Sequence, residues 1–199
     1  MNQDLFQSGI EVDEYVRTIS NYRSFVRGLM NEPEPNDSHV ADFRSLTESL
    51  DAPLRATIMT EDWCGDSACT LPVLARFFAE LGIELRILRG SEHSDLREYY
   101  ERDGVDHIPV ISVWDGRFAE VVRWVECPKS IEARKDAWKA ERPDFEPLYE
   151  RQKSDPAAAK EFAALYRTLM DAMAGWYRDG GWDDVTAEIV AALRGRLDR

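Results

Sequence analysis

Residues 60–72 read TEDWCGDSACTLP and carry two of the chain's three cysteines. Cys64 follows a short apolar run and precedes an amphipathic one, which predicts a position between the end of a strand and the start of a helix. The free amides and positive dipole end of a helix favour thiolate over thiol, so we expect a lowered pKa and a nucleophilic sulfur. Ser67, one turn later, is expected to donate a hydrogen bond to that sulfur. The competing interpretation is a small apolar residue that fills a helix terminus.

The composition excludes several other kinds of function. The 199-residue chain has a formal net charge of -13 and no basic block, which argues against nucleic-acid binding. No apolar segment is long enough to span a membrane, and the start MNQDLFQSGI lacks a secretory signal pattern. Three cysteines without framework spacing suit a reducing compartment, so we predict a cytoplasmic protein. The three histidines are widely separated, and we predict neither a bound metal nor a cofactor.

The elements around Cys64 alternate between strand and helix. The segments LRATIMT, IELRILR and VISVWD are predicted strands, and SACTLPVLARFFAELG between the first two is a predicted amphipathic helix that ends at Gly82. Beyond Pro109, VISVWD and RFAEVVRWV flank Asp115-Gly116, which favours a tight hairpin turn with positive φ angles. The predicted fold class is therefore α/β, with a βαβ half followed by a β-hairpin half.

Helices are predicted at both ends of the chain. Residues 11–30 read as one amphipathic helix, and Asp37 and Ser38 are candidate caps for a second helix that runs to about Leu50. The chain from Pro128 onward is helical by pattern, with a break at the glycine pair 180–181. We predict one domain overall, with an N-terminal extension (1–51), a core (52–126) and C-terminal helices that complete or cover the core (127–199).

The WCGDS motif at the head of a helix and the later HIPV segment resemble the thioredoxin superfamily over about residues 52–126. More narrowly, the chain resembles small bacterial thioredoxin-like proteins that carry Trp-Cys-Gly-Asp and added terminal helices. The resemblance implies a thioredoxin-like fold in which Pro109 is a cis-proline facing Cys64. It also implies that the backbone of Ile108 binds an extended peptide, within a substrate-binding surface that comprises Trp63, Gly65, Asp66, Ile108 and Pro109.

Three positions depart from the family pattern. Ser67 stands where a thioredoxin has its second cysteine, Ile58 where it buries an acid, and Trp124 where a glycine often follows the last strand. A C-x-x-S motif can attack a disulfide but cannot resolve the mixed product locally. We therefore predict a monothiol exchange protein in cell redox homeostasis, with Cys64 and Ser67 as catalytic residues. Its partner would be a disulfide-containing protein or a low-molecular-weight thiol.

Two alternatives remain open. The altered residues at 58, 67 and 124 are also compatible with a non-catalytic module that binds a peptide or partner in the groove between Trp63 and Pro109. A thiol peroxidase would use Cys69 to resolve Cys64. On a regular helix, however, Cys69 lies about 7.5 Å along the axis from Cys64 and faces roughly 140° away, so closure requires the first turn to unwind.

Overall fold

The computed structural model of the protein describes residues 1–198. These residues form two compact units, one made of Met1–Cys127 together with the chain from Trp182 onward, and the other of Pro128–Gly181. Among them, no helix is both long and apolar enough to cross a membrane.

The first unit contains a four-stranded mixed sheet and seven helices. Its elements in chain order are α1 (Gln3–Ser8), α2 (Val12–Thr18), α3 (Arg23–Leu29), α4 (Asp37–Thr47), β1 (Arg55–Thr60), α5 (Gly65–Leu81), β2 (Glu84–Arg89), α6 (Ser94–Glu101), β3 (Val110–Trp114), β4 (Glu120–Val125) and α10 (Trp182–Leu197). The strand order is β2-β1-β3-β4. Strand β1 pairs parallel with β2 and antiparallel with β3, and β3 pairs antiparallel with β4. The predicted βαβ half and hairpin half are confirmed.

The two central strands are buried on both faces, as their apolar and β-branched sequences favour. One face carries Met59, Leu88 and Val110, which pack against Leu96 and Tyr100 of α6. Alternation along the strands puts Ile58 and its register partners on the opposite face. There Trp124 donates its indole N–H to Glu188 of α10 at 2.8 Å. The sheet thus lies between helices, with the carboxyl end of β1 free to present the WCGDS segment.

Three local expectations were wrong. Residues 11–30 form α2 and α3 rather than one helix, because the chain bends at Ile19 and Tyr22 has a positive φ of 55°. The cap of α4 is Asn36, whose side chain accepts from the Ser38 amide, and this helix ends at Thr47. Helix α1 was not anticipated. The chain between α1 and α2 adds to the outer edge of β2, where Ile10 and Ile87 exchange backbone hydrogen bonds at 2.9 Å.

The β3–β4 connection also differs from the expected tight turn. The positive φ falls at Phe118, and the Asp115 carboxylate accepts from the amides of Arg117 and Ala119 at 2.9 and 2.8 Å. Gly116 is needed for space rather than for a positive φ, since a Cβ there would lie 2.5 Å from the carbonyl oxygen of Ala52. The Asx-type bonds therefore hold a longer turn than the Asp-Gly dipeptide predicted.

The second unit is helical. It consists of α7 (Lys129–Ala140), α8 (Phe145–Arg151), α9 (Pro156–Trp176) and a kinked turn (Tyr177–Gly181). Aromatic side chains form its core, with Trp138 edge-on to Phe145 at a centroid distance of 5.7 Å and Phe162 at 5.4 Å from Phe145. Asp155 caps α9 and Pro156 occupies its first turn, a common arrangement at helix starts. The helical prediction for this segment is confirmed.

Candidate functional site

Cys64 is the residue that begins the helix after β1. It caps α5, and its Sγ accepts a hydrogen bond from the Ser67 amide at 3.5 Å. The thiol donates to the carbonyl oxygen of Ile108 at 3.5 Å. The residue is only 6% exposed, so Cys64 is buried. The backbone amide of Cys64 donates to the backbone carbonyl of Glu61 at 3.0 Å and fixes the turn that precedes the helix.

Ser67 and Thr60 form a buried hydroxyl pair behind the sulfur. The two side chains are 4% and 1% exposed, and their hydroxyl oxygens share a short hydrogen bond. The Ser67 hydroxyl also bonds to Cys64. Thr60 therefore orients the group that faces the nucleophile. This role could not be predicted from the sequence, because Thr60 reads only as the last β-branched residue of a strand.

The residues opposite Cys64 are held by the sheet. The Ile108–Pro109 peptide bond is cis, and the Pro109 carbonyl accepts from the Glu126 amide at 2.8 Å. Val110 then enters β3 and pairs with Met59 of β1. Because the chain directly after Ile108 is hydrogen-bonded at Pro109 and paired to β1 at Val110, the Ile108 carbonyl has a fixed position beside the thiol.

Burial raises the pKa of the Cys64 thiol above its ordinary value. The hydroxyl and amide of Ser67 oppose this effect because they stabilise the thiolate, whereas the negative charge of Asp66 adds to it. The net direction is upward, so the expected lowering by the helix start is wrong. Desolvation outweighs the helix terminus at a sulfur this deeply buried.

A second cluster fixes the loop just before Cys64. Asp62 accepts from Arg89 at 2.8 Å and from the Ser20 amide at 2.9 Å. The Arg89 guanidinium also lies over the Tyr15 ring, 5.3 Å from its centroid. Burial alone would raise the pKa of Asp62, but the bonds from Arg89 and Ser20 bring it below its usual value. The N-terminal helices thus help to position the WCGDS segment.

A family model described as Thioredoxin matches residues 9–139. The chain belongs to the thioredoxin family. The resemblance and the fold class inferred from the sequence are both confirmed, and the match extends into the N-terminal helices that contact the Cys64 loop. A search of curated proteins finds no match.

Two solved structures share the fold of this thioredoxin-family protein. A protein of unknown function from Pseudomonas aeruginosa is 18% identical, with a TM-score of 0.58, and the match covers 98% of this chain and 99% of that one. An HIV epitope-scaffold is 16% identical, also with a TM-score of 0.58, over 96% of each chain. The similarity therefore includes the terminal helices as well as the core.

The thioredoxin-family core brings most of the predicted site residues together. Trp63 is 61% exposed beside the thiol, while Gly65 and Pro109 are buried and Asp66 and Ile108 are half-buried. Cys69, the possible resolving cysteine, is fully buried in the continuous helix α5. Its backbone carbonyl accepts a hydrogen bond from the indole N–H of Trp182 at 2.9 Å. None of the three cysteines, all of which lie within the described residues, forms a disulfide bond.

The Asp62–Arg89 pair was missed by the sequence analysis, although a signal for it exists. Arg89 ends β2 and Asp62 follows the end of β1, and the carboxyl ends of neighbouring parallel strands meet at one edge of a sheet. Opposite charges placed just there predict an ion pair. In the part of the chain described, no three His, Cys, Asp or Glu side chains gather as a metal-ligand set.

The raised pKa of Cys64 predicts how its alkylation depends on pH. The rate constant follows the thiolate fraction, so it should rise with pH and reach half its maximum above the value of about 8.5 typical of a free cysteine. The measurement is iodoacetamide labelling of the native protein, resolved by residue with mass spectrometry. The same labelling in denaturant supplies the unshifted midpoint, and a native midpoint below it would contradict the prediction.

Proposed function

We propose that the protein exchanges thiols and disulfides through Cys64 alone. The observation that carries this proposal is the pairing of one free sulfur, at the head of α5, with the Ile108 carbonyl directly before Pro109. Ser67 occupies the position from which a second thiol would attack, and its hydroxyl and amide both bond to the sulfur. An enzyme of this kind forms a mixed disulfide that only an external thiol can resolve.

The reaction has three balanced steps. The Cys64 thiolate attacks one sulfur of a substrate disulfide, a new S–S bond forms, and the other substrate sulfur leaves as a thiolate. An external low-molecular-weight thiolate then attacks this mixed disulfide. Attack at the Cys64 sulfur releases the substrate thiolate, and attack at the substrate sulfur releases the Cys64 thiolate. A second external thiol completes the reduction, so the substrate disulfide is reduced and two external thiols are oxidised. A reducing compartment such as the cytoplasm supplies that thiol.

The local groups have distinct roles in these steps. The Ser67 amide and hydroxyl stabilise negative charge on sulfur as the thiol loses its proton. The Ile108 carbonyl, which accepts from the thiol in the free protein, becomes available to an amide of an extended substrate. Trp63 provides an exposed apolar surface beside the reacting atoms.

The test is adduct formation with 2-hydroxyethyl disulfide, followed by intact-mass measurement and peptide mapping. We expect one mercaptoethanol adduct on Cys64, released by excess glutathione, and no adduct in Cys64→Ser. Cys69→Ser and Cys127→Ser serve as matched controls that retain the adduct. Absence of an adduct on Cys64 would overturn the proposal, as would equal labelling of all three cysteines.

A binding module without redox chemistry is the second candidate. It is favoured by the same burial that raises the pKa of Cys64, since a protonated and shielded thiol is a poor nucleophile. Under this alternative, Cys64→Ala leaves partner binding intact. Partners that stay bound to Cys64→Ala in the presence of reductant would support it, and loss of all binding in that variant would remove it.

A further inference from the structure

A pocket of about 190 Å³ borders the site on the side of Trp63 and Ile108. Trp63 and Ile108, the two residues that flank Cys64 in the site, form part of its wall, and Met59 and Val105 complete an apolar floor. Drug-sized ligands occupy pockets of roughly 300–1,000 Å³, so this one fits a single side chain. A substrate bonded to Cys64 would therefore have one neighbouring residue within reach of the pocket.

The mouth of the pocket is acidic. Glu61, Glu101 and Asp106 lie on its rim, and Arg97 is the one basic side chain among the described residues that line it. Arg97 pairs with Glu101 at 3.5 Å. The Glu61 carboxylate accepts from the amide and hydroxyl of Ser91, which are neutral donors that fix it without cancelling its charge. The rim thus carries an excess of negative charge, as does the whole chain.

We propose that this pocket selects substrates with a basic residue beside the reactive cysteine. The inference rests on the proposed exchange function and names its substrate class. The methylene stem of a lysine or arginine would lie on Met59 and Val105, as long cationic side chains do on apolar surfaces. Its charged end would reach the carboxylates at the rim and the face of the exposed Trp63 ring. An acidic residue in the same place would face like charge.

The test uses three peptides, acetyl-Gly-Xaa-Cys-Xaa-Gly-amide, in which Xaa is lysine, norleucine or glutamate. Each is supplied as its mixed disulfide with 2-mercaptoethanol, and peptide adduct formation on Cys64 is followed by mass spectrometry. Every rate constant is divided by that of the neutral thiol N-acetylcysteinamide attacking the peptide sulfur of the same disulfide, which removes differences in intrinsic reactivity among the three peptides, since the leaving group is 2-mercaptoethanol in each. At low salt, the lysine peptide should react at least about fivefold faster than the glutamate peptide, the size that one or two exposed charge pairs supply. Added salt should reduce this ratio.

Two variants at the pocket and one control elsewhere test whether the pocket causes the effect. Glu101→Gln/Asp106→Asn should lose most of the preference. Asp42→Asn/Glu48→Gln, on α4 and just after its end, makes the same charge change away from the lining and should retain the preference. Gly90→Val tests whether the volume of the pocket is needed for the preference. A Cβ at Gly90 would lie 3.5 Å from Glu61 Oε1 and 3.7 Å from Met59 Sδ, so the Cβ of the valine fits, and its two further methyl groups are meant to narrow the pocket. This variant should lose the advantage of lysine over norleucine while its reaction with 2-hydroxyethyl disulfide is unchanged.

The outcomes separate the two proposals. Equal normalised rates for the three peptides, a preference for glutamate, or an equal loss of preference in both double variants would overturn the inference while leaving exchange through Cys64 intact. Failure of Cys64 to react with any of the peptides and with 2-hydroxyethyl disulfide would overturn both. A lysine preference that the rim variant and Gly90→Val remove would establish the pocket as the specificity site.

Discussion

Ser67→Cys should convert the protein from a monothiol into a dithiol that closes its own disulfide. The Ser67 hydroxyl already bonds to Cys64, and its amide lies 3.5 Å from Sγ, so a sulfur in place of that oxygen is in reach. Residues three apart at a helix start are neighbours, within the Cα separation of about 4.4–6.8 Å that a disulfide needs. The mixed disulfide at Cys64 would then be resolved internally rather than by solvent thiol.

The expected result is measured in two ways. After mild oxidation, intact mass should be lower by two hydrogens and the bridge should map to positions 64 and 67. Mixed disulfides at Cys64 should decay at least about 100-fold faster than in the wild type at millimolar external thiol, because oriented intramolecular groups act at far higher effective molarity. In a single turnover, reduction of insulin by the pre-reduced variant should consequently not depend on the concentration of the external thiol, which is needed only to reduce the bridge between positions 64 and 67 afterwards.

The matched control is Ser67→Ala, which removes the hydroxyl and adds no sulfur. It should form no bridge, and loss of the hydrogen bond should raise the pKa of Cys64 further above its ordinary value. An introduced sulfur that stays reduced, or that pairs with Cys69, would contradict the prediction.

The fold of the core was predictable because its signals are local and agree with one another. Apolar runs, one helical stripe and the WCGDS and HIPV segments all favour the same order of elements, and the structure has that order. The first helices were harder to predict. Residues 11–30 keep a helical period, but the chain bends at Ile19–Tyr22, where Ser20 donates to Asp62. A tertiary contact to a loop some 40 residues away cannot be read from periodicity.

The electrostatic state of the site was the least predictable feature. The position of Cys64 at a helix start can be predicted from the sequence. From that position alone, a lowered pKa of the Cys64 thiol follows if the sulfur is exposed. Its exposure depends on the Ile108–Pro109 segment, which comes from a different part of the chain and reaches the thiol at 3.5 Å. Desolvation is a property of the packed structure, so its sign could be obtained only after the site was assembled.

Arg123→Met should be strongly destabilising because it leaves two carboxylates without their cation. The guanidinium of Arg123 bonds to Glu120 and to Asp103, the latter at 2.8 Å, and lies 4.9 Å from the centroid of the Tyr100 ring. Arg123 and Glu120 are only 18% and 13% exposed. Removing one partner of a poorly solvated pair leaves an uncompensated charge, which costs about 3 kcal/mol of unfolding free energy.

Urea unfolding followed by circular dichroism measures this cost. Arg117→Met is the matched control, since Arg117 also pairs with an aspartate, Asp51, at 2.9 Å but is 79% exposed. Its loss should change the free energy of unfolding by less than about 0.5 kcal/mol. The double variant Arg123→Met/Glu120→Gln should recover part of the loss, because it removes the stranded carboxylate as well. Equal stabilities of Arg123→Met and Arg117→Met would contradict the argument from burial.

The same network connects stability to the site. Arg123 and Glu120 lie on β4, and the residue after that strand, Glu126, donates its amide to the Pro109 carbonyl at 2.8 Å. If β4 is loosened by the loss of Arg123, the Ile108–Pro109 segment loses part of its support beside Cys64. Iodoacetamide should then label Cys64 faster in Arg123→Met than in the wild type under native conditions, while Arg117→Met keeps the slow wild-type rate. Unchanged protection of Cys64 in a destabilised Arg123→Met would mean that β1 and α5 shield the thiol without help from β4.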